Sequence, residues 1–359
     1  MRITFFSLFM SVIWSSFLVI FNHFCRKKHS FIRQLGITNI LFLYMFSVVR
    51  MIIPYEFSFT RVIPPQGVLN NLFRDTSISK SVTQISIFSV LEAIWGIVSA
   101  ILIVCFVFRY MRAMRKFSSY SIRKDEQCCR IFNRVLNVSK TQMKIAIRSS
   151  SDISIPIGVG IFRKSIILPD EDYSDSELYY ILRHEYTHFQ NKDLIIKILI
   201  NIYGCIFWWN PAIYLLKKDL AQILEIKCDL DVTDNMANHN KAEYLATIVT
   251  MLKNAGAKKR EKAFYETTAL VSKDYNSEII ERFKLVSAGY GYNKKSVLVT
   301  GSWFFIFSML IFLSYSFVIR PDYGPSMTSV GTNPEAPKPT GNSYFIECVD
   351  DTYYVHFQE

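Results

Sequence analysis

His184-Glu185-Tyr186-Thr187-His188 lies among long apolar stretches of the chain. Histidines at positions i and i+4 share one helical face, where both imidazoles can hold a single zinc ion. The Glu beside the first histidine is placed to take a proton from metal-bound water. Upstream, Ser174-Asp175-Ser176-Glu177 has the S-x-x-E form of a capping box. The spacing therefore predicts a helix that starts there and runs through Leu178, Ile181 and Leu182 into the motif. A zinc peptidase beside a membrane is the expectation that the rest of the sequence has to meet.

The 359 residues are 50% hydrophobic and 15% aromatic, with a formal charge of +11. The apolar residues gather into runs, and four runs reach the length of about 20 residues that crosses a bilayer. These are residues 3–22, 35–53, 85–108 and 297–319. The first is followed by Arg26-Lys27-Lys28 rather than a small-residue cleavage site, so it is expected to stay as an anchor. Basic clusters follow the first run (Arg26, Lys27, Lys28, Arg33) and the third (Arg109, Arg112, Arg115, Lys116), and Lys294-Lys295 precede the fourth. All fall on one side if the N-terminus is outside, so the positive-inside rule makes 109–296 cytoplasmic. The acidic tail, 320–359, then lies outside. The expected organisation is a three-span bundle over 1–108, a cytoplasmic domain over 109–296, a fourth span over 297–319 and the short tail. The basic excess is a topology signal whose partner is the anionic lipid headgroup. With no zinc-finger spacing and no basic helix, direct nucleic-acid binding is not expected. Arg50 and Glu92 are charges inside spans, either paired with each other or reaching the headgroups separately.

Residues 153–169 (ISIPIGVGIFRKSIILP) are β-branched and interrupted by Gly158 and Gly160, which reads as two short strands with a turn. Such strands serve either as simple sheet core or as an edge that pairs with extended peptide. Zinc needs a third protein ligand. The pattern H-E-x-x-H-x-x-G-x-x-H is excluded, because Asn191 and Leu194 stand at its Gly and final His positions. A Glu on a second helix is the other solution. Within 220–231 (LAQILEIKCDLD), Glu225 and Asp229 are an i,i+4 pair, so Glu225 could bind zinc while Asp229 accepts from a ligand histidine. Asp219, Asp231 and Asp234 compete, and the apolar neighbours Leu224 and Ile226 favour Glu225. A single membrane crossing by the apolar stretch 194–216 would separate Glu225 from the histidines. That stretch is therefore expected to be buried, re-entrant or interfacial. The seven cysteines form no C-x-x-C pair and are read as reduced thiols.

These features together resemble the BlaR/MecR-type regulatory membrane zinc peptidases. The similarity rests on IPIGVGIFRKSIILPDE (155–171), HEYTHFQNKD (184–193), WWNP (208–211), E-x-x-C-D (225–229) and the order of spans, and covers roughly residues 1–320. It implies a multi-pass α-helical membrane protein with a cytoplasmic α+β zincin-like (gluzincin) metallopeptidase domain. It also implies Zn2+ held by His184, His188 and Glu225, Glu185 as general base, and Asp229 and Asp193 as supports of the ligands. The implied substrate is a cytoplasmic protein such as a transcriptional repressor of resistance genes, and a homodimer is compatible. Sensors of this family carry a penicillin-binding domain after the last span, whereas 320–359 holds a Pro/Gly-rich linker and one expected hairpin, 344–357, turning at Asp350-Asp351. Ser77-Ile78-Ser79-Lys80 matches the S-x-x-K of β-lactam-acylating enzymes. It falls in a short outer loop and is read as chance, so direct β-lactam sensing is not expected.

Two other functions fit parts of the pattern. A housekeeping membrane protease of the prenyl-protein or heat-shock type would carry E-x-x-A-D, and Cys228 at the fourth position disfavours it. A catalytically silent receptor would not need the intact Glu185.

Overall fold

Helices α1 (Phe5–Arg26), α2 (His29–Leu35) and α3 (Ile37–Ile52) open the chain, and Gly36, at φ 78°, makes the sharp join between the last two. A computed structural model describes residues 5–64, 87–139, 141–234, 236–259, 275–287, 297–319, 344–349 and 352–357. The long α4 (Ile87–Ser118) exposes Leu91, Ile94, Val104 and Val107, spread over more than half of its circumference, the pattern of a helix in lipid rather than in water. Phe6–Arg26 and Val90–Ser118 are long and apolar enough to cross a bilayer, while Ile37–Ile52 and Thr300–Ser316 are shorter apolar helices.

The helices that lie in the four expected spans differ from them at their edges. The first helix runs on to Arg26, and the third runs on to Ser118, beyond the apolar core and into the basic cluster. The fourth stops at Ser316, because Phe317–Ile319 is a strand paired in parallel with Arg61–Ile63. Arg50 does not pair with Glu92. Its guanidinium donates to Ser314 Oγ at 2.8 Å, to the Ser314 carbonyl at 3.0 Å and to the Ile53 carbonyl at 3.2 Å, and lies over the Tyr315 ring. Glu92 is exposed on α4. Similar depth in the bundle did not imply a shared face.

After the first β-strand, β1 (Arg61–Ile63), come β2 (Ser121–Ile122), α5 (Glu126–Val138), β3 (Ala146–Ser150), β4 (Ile157–Val159) and β5 (Ser165–Pro169). The sheet order is β2-β3-β5-β4, with β3 and β5 parallel and the outer pairs antiparallel. Thus β4 is an edge. Gly160 closes the β4–β5 turn at φ 87°, where an added Cβ would lie 2.1 Å from the Arg163 carbonyl oxygen. The two strands expected within 153–169 are these.

Helix α6 (Asp175–Gln190) carries the H-E-x-x-H motif. Its capping box is complete: Ser174 Oγ accepts from Glu177 N–H, and the Glu177 carboxylate accepts from Ser174 N–H. A Ser cap of this kind contributes about 1 kcal/mol. The sheet side of α6 buries Leu178, Ile181, Leu182, Tyr186 and Phe189 against Ile147, Ile166 and Leu168 of the strands and Ile131 and Val135 of α5.

The apolar stretch 194–216 is a helical hairpin. α7 (Asp193–Ile206) turns at Phe207–Asn210 into α8 (Pro211–Thr233), which Asn210 caps through the Ala212 N–H. The turn is met by polar groups from the long apolar helices. Trp95 Nε1 and Ser99 Oγ of α4 donate to the Ile206 carbonyl at 2.6 and 3.1 Å, and Asn210 Nδ2 donates to Ser16 Oγ of α1 at 2.8 Å. Non-helical backbone among apolar helices is tolerated where protein groups satisfy it in this way. The fold-back brings the end of α6 and the middle of α8 to one place.

The remaining described elements are α9 (Asn238–Lys259), α10 (Tyr275–Ser287), α11 (Val297–Ser316), β6 (Phe317–Ile319), and the antiparallel pair β7 (Tyr344–Val349) and β8 (Thr352–Phe357). The pair forms the expected hairpin arms; its Asp350-Asp351 turn lies outside the described residues, as do Ser77–Lys80, Lys294-Lys295 and most of the acidic tail. Among the described cysteines Cys25, Cys105, Cys128, Cys129, Cys205 and Cys228 are free thiols.

Candidate metal centre

The Nε2 atoms of His184 and His188 lie 3.2 Å apart on one face of α6. Glu225 reaches them from α8, with Oε2 3.6 Å from His184 Nε2 and Oε1 3.6 Å from His188 Nε2. Three donor atoms from two helices therefore converge. Two imidazole nitrogens facing each other beside a carboxylate suit a shared cation, and a His2Glu set is one that zinc accepts. Both histidines are buried, while Glu225 keeps 30% of its side chain exposed and opens the centre to solvent.

Cys228 is a second candidate donor, because His184, His188 and Cys228 each offer an atom within 4.8 Å of the others. Its sulfur, however, lies 3.6 Å from Nδ1 of His184 and 3.4 Å from the His184 carbonyl oxygen. Glu225, by contrast, meets the Nε2 atoms of both rings. Of the acidic competitors, Asp219 is buried beside His23, Arg26 and Tyr44, and Asp231 bonds Asn191 and Lys227.

Each ring is held through its other nitrogen. His188 Nδ1 is 2.7 Å from Asp193 Oδ2, at the first turn of α7. The intervening Lys192 adopts φ 59°, the left-handed region, which reverses the chain tightly enough for Asp193 to reach back. His184 Nδ1 is 2.9 Å from the Tyr244 hydroxyl, which donates to Asp229 Oδ1 at 2.6 Å. The direct contact expected between Asp229 and a ligand histidine is thus relayed through Tyr244, with Asp229 Oδ1 itself 3.5 Å from the ring nitrogen. Arg282 of α10 completes Asp229, donating from Nε at 2.6 Å and Nη2 at 2.8 Å. Lys197 Nζ lies 3.2 Å from Glu225 Oε1, and Arg282 Nη1 lies 3.8 Å from Oε2.

The field of these groups suits a cation at the convergence. Burial pulls the His184 pKa down, but Cys228 and Glu225 outweigh it and raise it to about 10. His188 is likewise raised well above the usual imidazole range, with Cys228, Glu225 and Asp193 outweighing burial. Burial alone would raise Glu225, yet Lys197, His188 and His184 hold it well below the usual carboxylate range. The negative groups that raise both imidazoles also favour a cation at the convergence.

Glu185 is buried next to the edge strand. A Cβ added at Gly158 of β4 would lie 3.2 Å from Glu185 Oε2 and 3.0 Å from the Phe189 ring. The backbone of β4 therefore lies directly against the carboxylate, and among the described residues β4 pairs only with β5.

Sequence spacing pointed to His184, Glu185, His188, Glu225 and Asp229, the family resemblance added Asp193, and the fold brings all six together. It did not point to Tyr244, Arg282 or Lys197. Tyr244 and Arg282 sit in ordinary-looking amphipathic helices, and Lys197 reads only as an interruption of an apolar run.

The family model described as BlaR1 peptidase M56 matches residues 10–286. "Methicillin resistance mecR1 protein" of Staphylococcus aureus is 30% identical over 165 residues, which is 43% of this chain and 27% of that protein. "Regulatory protein BlaR1" of Bacillus licheniformis is 25% identical over 142 residues, 39% of this chain and 24% of that protein. The "Regulatory protein BlaR1" of Staphylococcus aureus is 24% identical over 175 residues, 47% of this chain and 29% of that protein. Each alignment spans less than a third of the relative's length. The family match takes in the helices that carry His184, His188, Glu225 and Asp229, and by that match the chain belongs to the BlaR1 peptidase M56 family.

Proposed function

We propose that this chain is a membrane zinc metalloendopeptidase of regulatory proteolysis, with His184, His188 and Glu225 as metal ligands. The observation that carries the reading is the convergence of both Nε2 atoms and the Glu225 carboxylate, with Glu185 on the same helix turn. Zinc bound there would polarise a scissile carbonyl and lower the pKa of water. Glu185 takes the proton of the attacking water and passes it to the leaving amine. Asp193 and Tyr244 hold the two rings in the tautomer that leaves Nε2 free. The exposed edge of β4, beside Glu185, pairs with an extended peptide by main-chain hydrogen bonds.

The peptidase domain faces the cytoplasm in this reading, with α1, α3, α4 and α11 in the bilayer and the hairpin α7–α8 entering from the cytoplasmic side and returning to it. Lipid covers the exposed apolar faces of α4 and α11, and the basic cluster Arg109, Arg112 and Arg115 lies at the headgroups, while Lys116 pairs with Asp152 at 3.0 Å. The substrate is a cytoplasmic protein, and the names of the relatives, which speak of regulation and methicillin resistance, make a transcriptional repressor of resistance genes the first candidate.

Replacing Glu225 by Ala and Cys228 by Ser separates the two candidate ligands. Zinc is expected to be lost in the first variant and kept in the second, and the reverse would assign Cys228 as the ligand. Cellular proteomes compared between wild type and Glu185→Gln should show a cytoplasmic protein accumulating in the variant. Identical proteomes and identical transcriptional responses would favour a silent receptor.

A further inference from the structure

Glu281 and Arg282 are adjacent on α10, and they bind opposite parts of a polar stripe on α8, Glu281 at Gln222 and Arg282 at Asp229. We propose that α10 couples the metal centre to the base of the membrane helices, with Arg282 a positioning residue for His184 and Glu281 its anchor. The proposal rests on the zinc peptidase reading.

The stripe is Asp219, Gln222, Glu225 and Asp229, spaced three to four positions apart and so on one helical face. At its lower end Asp219 is fully buried. It accepts from His23 at 2.8 Å, Arg26 at 3.1 Å and Tyr44 at 2.7 Å, which come from α1 and α3. Arg26 also donates to Gln222 Oε1 at 2.8 Å and lies 3.4 Å from Glu281 Oε2. The Gln222 amide donates to the same Glu281 carboxylate. At the upper end, Arg282 makes its two bonds to Asp229, which bonds Tyr244, which bonds His184.

Buried charges tolerate few arrangements, because a partner lost there leaves an uncompensated ion. The stripe therefore specifies where α10 sits on α8. A movement of α1 changes the partners of Glu281 through Arg26, and one of α3 reaches the same cluster through Tyr44 and Asp219. Arg282, the next residue on the same rigid turn, moves with Glu281. Asp229 and Tyr244 then carry that movement to the His184 ring.

The test uses the full chain in detergent, loaded with Co2+ in place of zinc. The readouts are the visible absorption spectrum of the bound ion and zinc affinity by chelator competition. Arg282→Gln is expected to change the Co2+ spectrum and weaken zinc on the order of 10- to 100-fold. Arg282→Lys, which keeps charge but not the two-pronged geometry, should restore part of both. Glu281→Gln touches no metal ligand, yet should shift the Co2+ spectrum in the same direction as Arg282→Gln. If Arg282→Gln does not fold, the other two variants decide. A Glu281→Gln spectrum superimposable on wild type overturns the coupling, and unchanged Arg282 variants overturn the positioning role, with the zinc reading intact in both cases. A wild type that takes up neither Co2+ nor zinc overturns both.

Discussion

Asp193 Oδ2 lies 2.7 Å from His188 Nδ1, across a turn that holds Lys192 at φ 59°. A non-glycine residue in that region is disfavoured, and the geometry it secures is the carboxylate–histidine contact. Removing the carboxylate frees the ring to rotate. Asp193→Ala is expected to weaken zinc binding on the order of 10- to 100-fold. Asp193→Asn, which keeps an acceptor, should lose less. Competition with a calibrated chelator measures both, and equal zinc affinity in Asp193→Ala and wild type would contradict the account.

The Tyr244 hydroxyl is the bridge between His184 and Asp229. Tyr244→Phe removes that one oxygen from a fully buried ring and leaves the two Arg282 bonds to Asp229 in place. The lost contacts correspond to about 1–3 kcal/mol. Zinc affinity should fall while the circular dichroism spectrum stays that of the wild type. A variant with unchanged metal affinity would place the support of His184 elsewhere.

Zinc binding should depend on pH with a definite sign. In the metal-free protein the His184 pKa, against the pull of burial, is raised to about 10 by Cys228 and Glu225. The unfolded value is about 6.5. This stabilisation of the metal-free fold is complete below about 6.5 and is lost as pH rises through about 10. The metal must displace the protons, so zinc affinity rises with pH over the neutral range. Titration calorimetry at pH 7 in buffers of different ionisation enthalpy should show protons released on binding. Proton release of zero would mean that the imidazoles are already neutral.

Gly158 is the point where the strand meets the base. In Gly158→Ala the new Cβ sits 3.2 Å from Glu185 Oε2 and 3.0 Å from the Phe189 ring, closer than nearly all such contacts. The strand or Glu185 must shift. Cleavage should fall by up to about 100-fold, the scale of a misplacement near 1 Å, while zinc content is unchanged. Loss of zinc instead would show that the substitution disturbs α6 as a whole.

The sequence made the ligand helices legible because helical spacing alone places His184 with His188 and Glu225 with Asp229. The S-x-x-E cap marked where α6 starts, and the Gly-interrupted run marked β4 and β5. The apolar stretch 194–216 was legible only through a constraint: Glu225 had to return to the histidines, and the turn at Phe207–Asn210 is how it returns. Tyr244 and Arg282 were not legible, since each reaches the centre from a helix whose azimuth depends on packing. The same blindness to azimuth left an Arg50–Glu92 pair open as one of two readings. Depth along a helix follows from residue count, but the face a residue presents follows from its neighbours, here Ser314 and Tyr315.

The most direct measurement takes zinc content and peptide-bond cleavage on the same preparations of wild type and Glu185→Gln, each full length in detergent. The account predicts one zinc per chain in both and a loss of cleavage in the variant of roughly 100- to 10,000-fold, the contribution of a general base. A wild type without zinc, or a Glu185→Gln variant that cleaves at the wild-type rate, would contradict it.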